Sequence, residues 1–469
     1  MSAMAEEVSS WVVREFAEAE LGDVRRTQRL VEVATMLAQQ PGASLPEACG
    51  DRAMLKVAYR FFDNEAVDPA EILASHVQAT IPRLASVPVV LAVQDTTDLN
   101  WTAHPATTGL GPLGHAEQHG LLAHTTLALT PERVPLGLIA QEVWARDPAA
   151  IGQRATRKSH PIEAKESYKW LQSLQAVIKV HEHCPQTHFI SVGDREADVY
   201  DLFMAPRPLG VDLLVRAAWD RRVEHPERYL WASVAAQPPA GTLTLEVPRR
   251  GAQPARVTTL TARFGRVSLR PPRHRQAEHL PTVEVFAVQV LEEHPPADIE
   301  PIEWLLLTTW AVTTFAEAVE RVQAYAARWG IEILHKVLKS GCRIEARQLE
   351  SADRLHRCLA VYSVIAWRIL YATMLSRTVP DMPCTALLEP EEWQALYCAI
   401  QCTPTPPPTP PTLRQAVHWI ARLGGFLDRR ADGEPGVTVL WKGFQHLTDL
   451  ATMYRIMRPT SPPETKKCG

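Results

Sequence analysis

Apolar positions recur at helical spacing through the first 75 residues. Trp11 to Ala19, Arg25 to Gln39 and Ala53 to Phe62 are predicted helices. The period then changes. Pro88-Val-Val-Leu-Ala-Val-Gln-Asp95 is an almost unbroken apolar run ending in an acid, the pattern of a buried strand. Leu121 to Leu129 and Val134 to Trp144 read as two more strands, joined by a turn at Thr130 to Arg133. Ala164 to Val180 is helical, and Thr187 to Asp194 repeats the strand-then-acid pattern, with a helix next over Glu196 to Met204. An α/β sheet domain therefore starts near residue 76. Residues 206 to 310 hold short β-branched stretches divided by Pro and Gly, which predict an inserted antiparallel β region. Thr314 to Ser340 and Ala352 to Ser376 are predicted long helices. Thr403 to Thr412 is a polyproline run, expected as a semi-rigid linker. Helical spacing resumes from Thr412 to Arg458, and Pro459 to Gly469 read as a frayed tail.

Composition narrows the classes. With 469 residues, 46% hydrophobic and 22% charged, the chain is globular and long enough for roughly three domains. Thirty-eight prolines against 22 glycines imply many defined turns. A net charge of −4 argues against nucleic-acid binding unless basic residues cluster locally. They do. Arg25, Arg26 and Arg29 crowd one helix, and Arg52, Lys56 and Arg60 punctuate the next. From Arg249 to Arg275 there are eight arginines and no acid, which points to DNA or RNA. The eight cysteines include no CxxC pair and read as reduced thiols of a cytoplasmic protein. The N-terminal residues lack the pattern of a signal peptide. Cys358 to Leu375 is apolar but interrupted by Arg368, so a buried helix is expected there and no membrane partner.

Candidate chemistry centres on acids. Asp95 and Asp194 come at the ends of predicted strands, at the edge of an α/β sheet where ligands usually sit. Either could equally stop its strand and cap the next turn. On the helix from Thr314, taking about 100° per residue from Tyr325, Arg328 falls near 300°, Glu332 near 340°, Lys336 near 20° and Lys339 near 320°. They share an arc of about 80°, and Arg321 falls there too. The other faces carry Val322, Ile331, Ile333, Leu334, Val337 and Leu338. A narrow polar stripe on an otherwise apolar helix faces solvent or a site. Two strand-end aspartates and a helix glutamate suit hard divalent cations such as Mg²⁺. Two such ions can clamp the attacking and leaving oxygens of a phosphodiester, with Arg328, Lys336 and Lys339 on the nonbridging oxygens.

Tyr325-x2-Arg328-x3-Glu332-x6-Lys339 resembles the tyrosine–arginine–glutamate–lysine signature of the insertion-sequence-four family of bacterial DDE transposases. Further matching pieces are Ala19-Glu-Leu-Gly-Asp-Val-Arg-Arg-Thr-Gln-Arg-Leu30, Ala58-Tyr-Arg-Phe61, Gln94-Asp-Thr-Thr97, Lys165-Glu-Ser-Tyr-Lys-Trp170, Asp194-Arg-Glu-Ala-Asp198, Trp304-Leu-Leu-Leu-Thr308 and Ala421-Arg-Leu-Gly-Gly-Phe426. The resemblance implies an α/β fold: an RNase H-like catalytic core (76–375) with an inserted antiparallel β subdomain at about 206–310. An N-terminal helical DNA-binding domain (1–75) would precede it. A proline-rich linker region (376–411) and a C-terminal helical dimerisation domain (412–469) would come after it. It implies Asp95, Asp194 and Glu332 as catalytic and metal-binding residues, with two Mg²⁺ ions for which Mn²⁺ substitutes. Tyr325, Arg328, Lys336 and Lys339 would contact phosphates, and Trp304 would insert where a base leaves the stack. Arg25, Arg26, Arg29, Arg60, Lys165 and Arg216 would be further DNA contacts. The implied activity is cut-and-paste transposition. A homodimer would bind double-stranded terminal inverted repeats, excise the element by hydrolysis and a hairpin, and insert it into target DNA by 3′-hydroxyl attack. The setting would be the bacterial cytoplasm, at the nucleoid.

There are departures. Gly330 stands where a basic residue is expected, Ile333 where a second acid is, and Tyr168 where a small residue is. Three other readings stay open. A host-retained nuclease or DNA-binding protein would share the fold, a glycosidase would share paired carboxylates, and His181-Glu-His-Cys184 with His188 has metal-ligand residue types at no standard zinc spacing.

Overall fold

The structure is a computed structural model that describes residues 11–115, 117–150, 160–248, 254–430 and 432–457. The predicted tail from 459 and Arg249 and Arg250 of the arginine-rich window lie outside the described residues. In chain order the chain forms α1 (Trp11–Phe16), α2 (Val24–Gln39), α3 (Leu45–Cys49), α4 (Arg52–Asp63), α5 (Pro69–Ala85), β1 (Val89–Asn100), β2 (Gly111–Pro112), β3 (His119–Leu129), β4 (Pro135–Trp144), α6 (Tyr168–His183), β5 (His188–Gly193), α7 (Tyr200–Met204) and β6 (Val211–Arg216). Next come α8 (Leu230–Ala235), β7 (Gly241–Val247), β8 (Arg256–Leu269), β9 (Val283–Leu291), β10 (Glu303–Thr308), α9 (Phe315–Ala327), α10 (Trp329–Lys336), α11 (Ala352–Thr378), α12 (Pro390–Gln401), α13 (Leu413–Leu423) and α14 (Val437–Met457). By compactness the chain divides into two bodies: residues 77–103 with 110–332, and residues 1–76, 104–109 and 333–469.

The first body is built on one ten-stranded sheet in the order β2-β3-β1-β5-β6-β10-β9-β8-β7, with β4 also on β3. β4, β3 and β1 are antiparallel; β1, β5 and β6 are parallel; β10 returns antiparallel on β6. Long apolar runs explain the parallel centre. Val90 to Val93, Phe189, Ile190, Val192 and Leu213 to Val215 are buried, because helices cover such strands on both faces. The β insertion begins after β6, which belongs to the parallel set, rather than near 206. Its strands are antiparallel, and β10 pairs with β6, so that it extends the central sheet through β9, β8 and β7. The predicted helix at Glu196–Met204 is a short 3₁₀ turn (Arg195–Ala197) and then α7.

The second body is helical. Its starts obey capping chemistry. Asp23 accepts from the Arg25 amide, Asp51 from the amides of Ala53 and Met54, and Ser351 from that of Arg354, while Ser44 with Glu47 and Thr412 with Gln415 form capping boxes. Helix α11 is long and apolar enough to cross a membrane, yet most of it is buried inside this body. Buried Arg357 ties it to the N-terminal helices through the carbonyls of Val67 (2.8 Å) and Phe62 (3.1 Å). Residues 333–375, expected in the catalytic core, thus group with the two ends of the chain. Residues 376–411 are more than a linker: α12 lies there, and its Trp393 and Leu396 join Leu413, Val417, Ile420, Leu440 and Leu447 in one core cluster. The proline run connects α12 to α13.

Two glycines set the α13–α14 crossing. A Cβ at Gly424 would lie 1.8 Å from the Val439 carbonyl oxygen, and one at Gly443 would lie 1.9 Å from that of Ile420. Backbone cannot yield to that degree. Gly443→Ala should destabilise this body by about 1–3 kcal/mol or more, whereas Gly436→Ala, with nothing within 4 Å, should be near neutral. Urea denaturation of both variants checks this, and equal midpoints would overturn it.

Candidate active site

Register places the acids. Val93 on β1 is opposite Val192 on parallel β5. Two residues further along each chain stand Asp95 and Asp194, on the same side of strands about 4.8 Å apart. Gln94 Nε2 locks this register by donating to Ser191 Oγ at 2.7 Å. The expectation that Asp95 ends its strand is corrected: β1 runs on to Asn100, paired only with β3 beyond this point, and Asp95 sits where β5 departs. Asp194 does come directly after β5, and its Oδ1 accepts from the Glu196 amide at 2.8 Å.

The third acid comes from the helix, which is not continuous. Thr314 and Glu317 cap α9, which ends at Ala327; Arg328 is the junction, α10 comes next, and a π turn covers Val337–Gly341. Arg321, four residues before Tyr325 on α9, is used in packing rather than at the acids. Its guanidinium lies over Trp310, 3.2 Å from the ring centroid, and donates to the Ala311 carbonyl. Gly330 has a packing reason, since a Cβ there would lie 3.0 Å from Leu129 Cδ1 on β3.

Arg328 joins the carboxylates. Its Nη2 is 2.9 Å from Glu332 Oε1 and its Nη1 is 3.7 Å from Asp95 Oδ1. Its Nε and Nη1 are buried and make no hydrogen bond. Burial raises the Asp95 carboxyl to about 6; Asp194 and Glu332 add to this, and Arg328 opposes it. For the Arg328 cation, burial is outweighed by Tyr325, Asp95, Glu332 and Asp194, so its proton is held more tightly than usual. Burial also raises the Tyr325 phenol, Asp194 adds to the rise, and Arg328 and Arg216 pull it back. Among the described residues, no three His, Cys, Asp or Glu side chains form a ready cage for one ion.

The other expected residues have varied surroundings. Trp304 is 6% exposed, packed edge-on to Tyr325 (4.9 Å) and Trp329 (5.8 Å), an aromatic floor beside the acids. Arg216, at the end of β6, donates to the Glu303 carbonyl. Lys336 ends α10, and Lys339 Nζ is 3.9 Å from Glu345. Of the N-terminal cations, Arg25 pairs with Asp23, Arg26 with the Leu21 carbonyl and Arg29 with Glu32. Arg60 stands with Arg52 and Lys56 on one exposed face of α4, none of them in an ion pair among the described residues. Four of the six described arginines of the window are paired with acids: Arg256 with Glu292, Arg266 with Glu284, Arg270 with Glu224 and Arg275 with Asp201 and Glu278. His181 faces the Leu209 carbonyl, Cys184 that of Ile81, and His188 Asp212.

Two roles went unread in the sequence. Asp198 clamps Arg221 and accepts from the amides of Ala218 and Trp219, joining the turn after β5 to the turn after β6. Lys169 reaches Glu196 at 3.2 Å between the rings of Trp144 and Trp170. Only the motif spacing hinted at either.

Two family models match the chain. One, described as transposase DNA-binding, covers residues 8–67; the other, described as the transposase Tn5 dimerisation domain, covers residues 364–463. They support a transposase that binds DNA and forms homodimers, and in sequence they lie on either side of the three acids.

Asp95 gives a stability test. Its folded value of about 6 exceeds the ordinary 3.8. Folding therefore takes up a proton between these values, and the stability it lends is full below pH 4 and lost as pH rises through 6. The loss is up to about 3 kcal/mol. Asp95→Asn should abolish that decline and exceed the parent chain in stability at pH 8 without divalent cations. Urea midpoints from pH 4 to 8 measure it; parallel curves would sink the assignment.

Proposed function

We propose that the chain is a cut-and-paste DNA transposase of the DDE kind, in the insertion-sequence-four family, with Asp95, Asp194 and Glu332 as its catalytic carboxylates. The observation that carries this reading is the register of β1 on β5, which sets two aspartates side by side next to a half-buried arginine that also holds Glu332. Antiparallel β4, β3 and β1 followed by parallel β5 and β6 support an RNase H-like core. The two family matches support DNA binding and pairing of protomers.

The donor set fits Mg²⁺. It is all oxygen, and its excess of negative charge is only partly offset by Arg328. Asp95, Asp194 and Glu332 would hold the ions, two being expected and Mn²⁺ able to substitute. When bound, they supply Lewis acidity for water or a 3′-hydroxyl and for the leaving alkoxide. The chain's own residues do the rest. Arg328, held beside Asp95 and Glu332, would turn its guanidinium to nonbridging phosphate oxygens, a planar fork that lysine does not match. Tyr325, packed on Trp304, is positioned beside it with a phenol that stays protonated and can donate. Lys336 and Lys339 are proposed as further phosphate contacts of the same DNA. Arg52, Lys56 and Arg60 on α4 are the surface we assign to the terminal repeats. The sequence of breaks is hydrolysis at the transposon end, attack of the freed 3′-hydroxyl on the opposite strand, opening of the hairpin, and attack on target DNA.

Purified protein and its Asp194→Ala variant are incubated with a plasmid carrying the DNA that flanks the gene, with Mg²⁺ or EDTA. The parent chain should give paired double-strand breaks and early hairpin ends with Mg²⁺ alone. The variant should bind the ends as tightly and cut nothing. Wild-type cutting by the variant would overturn the carboxylate assignment. End binding without cutting by the parent would favour the host-retained DNA-binding reading.

A further inference from the structure

Beside the acids, on the sheet body, runs a groove that the reaction above does not use. One stretch encloses about 580 Å³ and the next about 720 Å³; they share Lys165, Ser167, Asp198, Val199 and Trp219. The second stretch reaches Arg195, the residue after Asp194, and the first reaches Arg222 and Arg273 in the β extension.

Three observations define its chemistry. First, its centre is an exposed aromatic surface. Trp219 is 65% exposed, and its backbone amide is held by Asp198 Oδ2 at 3.0 Å, beside that of Ala218 at 2.8 Å, which anchors the turn that carries the ring. Tyr229, also exposed, is steadied by Arg273, whose Nη2 donates to its hydroxyl at 3.3 Å. Second, the acids lining the groove are engaged. Asp198 is clamped by Arg221, Asp201 by Arg275, Glu166 by Arg146 and Glu196 by Lys169, while Asp220 accepts from the Trp231 amide. Third, Lys165, Arg195, Arg222 and Arg273 line it and form no salt bridge among the described residues. The groove is therefore positive in effect, with a flat apolar face exposed in its middle.

Cations fit phosphates, and an open indole face fits a nucleobase. Bases inside a duplex have both faces covered, so stacking on Trp219 requires a base out of its stack. We propose that this groove holds unpaired DNA, with a base on Trp219 and its phosphates among Lys165, Arg195, Arg222 and Arg273. The proposal rests on the transposase reading, in which strands separate beside Asp194. It adds a second DNA subsite, for the single strand.

The test uses the full chain and two fluorescent probes: a 12-nucleotide oligothymidylate and a duplex of the terminal repeat. Anisotropy titrations give both affinities. Trp219→Ala should weaken oligothymidylate binding by about tenfold, leave the duplex unchanged and leave the melting temperature unchanged, since the ring is exposed. Trp219→Phe should restore most of the loss. Arg222→Gln and Arg273→Gln should each reduce the oligonucleotide salt slope by about 0.7. Unaltered oligothymidylate binding by Trp219→Ala overturns the proposal, as does an equal loss of both probes. A parent chain that binds the duplex but not the oligonucleotide overturns the proposal alone. One that binds neither overturns the transposase reading as well.

Discussion

The parallel pairing of β1 with β5 is the constraint on which the acidic site depends. Five residue pairs, Val89 with His188 through Val93 with Val192, fix where the next residues fall. A slip of one residue would send one aspartate to the opposite face of the sheet. The Gln94–Ser191 hydrogen bond, made inside the core, holds the two strands against that slip. Once the register holds, two carboxylates are neighbours in a partly buried place. Burial and like charge both oppose ionising Asp95, which is why it titrates so far above its ordinary value. Everything nearby answers that difficulty. Arg328 stands at a helix junction because a residue there can reach Asp95 and Glu332 at once, and Trp304, Tyr325 and Trp329 wall its surroundings with aromatic rings.

The β extension plays a different part from the one its composition suggests. An acid-free run of arginines looks like an electrostatic patch in sequence. In the sheet, β9 brings Glu284 and Glu292 against β8, and Arg266 and Arg256 meet them. Glu292 is almost fully buried and bonded to Arg256, Thr258 and the Ile302 amide; the Arg256 bonds come first in holding its carboxyl near 2. These are structural pairs, and they staple β8 to β9. The positive charge left over is concentrated beside Trp219, where acids that could have cancelled it are already taken.

The range of each interaction decides how much could be read beforehand. Strand periods, the apolar parallel core and the helix starts with Asp, Ser or Thr caps depend on a few neighbouring residues, and the sequence carries them. That Asp95, Asp194 and Glu332 gather within electrostatic reach of one another was expected from motif spacing and helical geometry. Three features were not. Asp95 lies in mid-strand because β3 is longer than β5, a fact about partners rather than about β1. The helix breaks at Arg328 with no proline to announce it, and Gly330 then packs close to Leu129. Arg256 and Glu292 are 36 residues apart, so a window of composition counts one and misses the other. The clamp at Asp198 is invisible for the same reason: its partner Arg221 lies beyond β6.

The energetics of Arg328 distinguish a structural ion pair from a site. A structural cation in a core is stable when its donors have partners, as Arg357 Nε and Nη1 have in the carbonyls of Val67 and Phe62. Arg328 is less deeply placed, yet two of its nitrogens are buried without a hydrogen bond, and the acid nearest them resists ionisation. Apolar side chains of similar volume would serve stability better at both positions. The arrangement makes sense for a ligand that brings opposite charges together. Its cations would relieve the carboxylates, and its anionic oxygens would satisfy the guanidinium. In the reading proposed above, a phosphodiester with divalent counterions would have that composition, whereas a lone metal ion would supply only the cations and a neutral sugar neither.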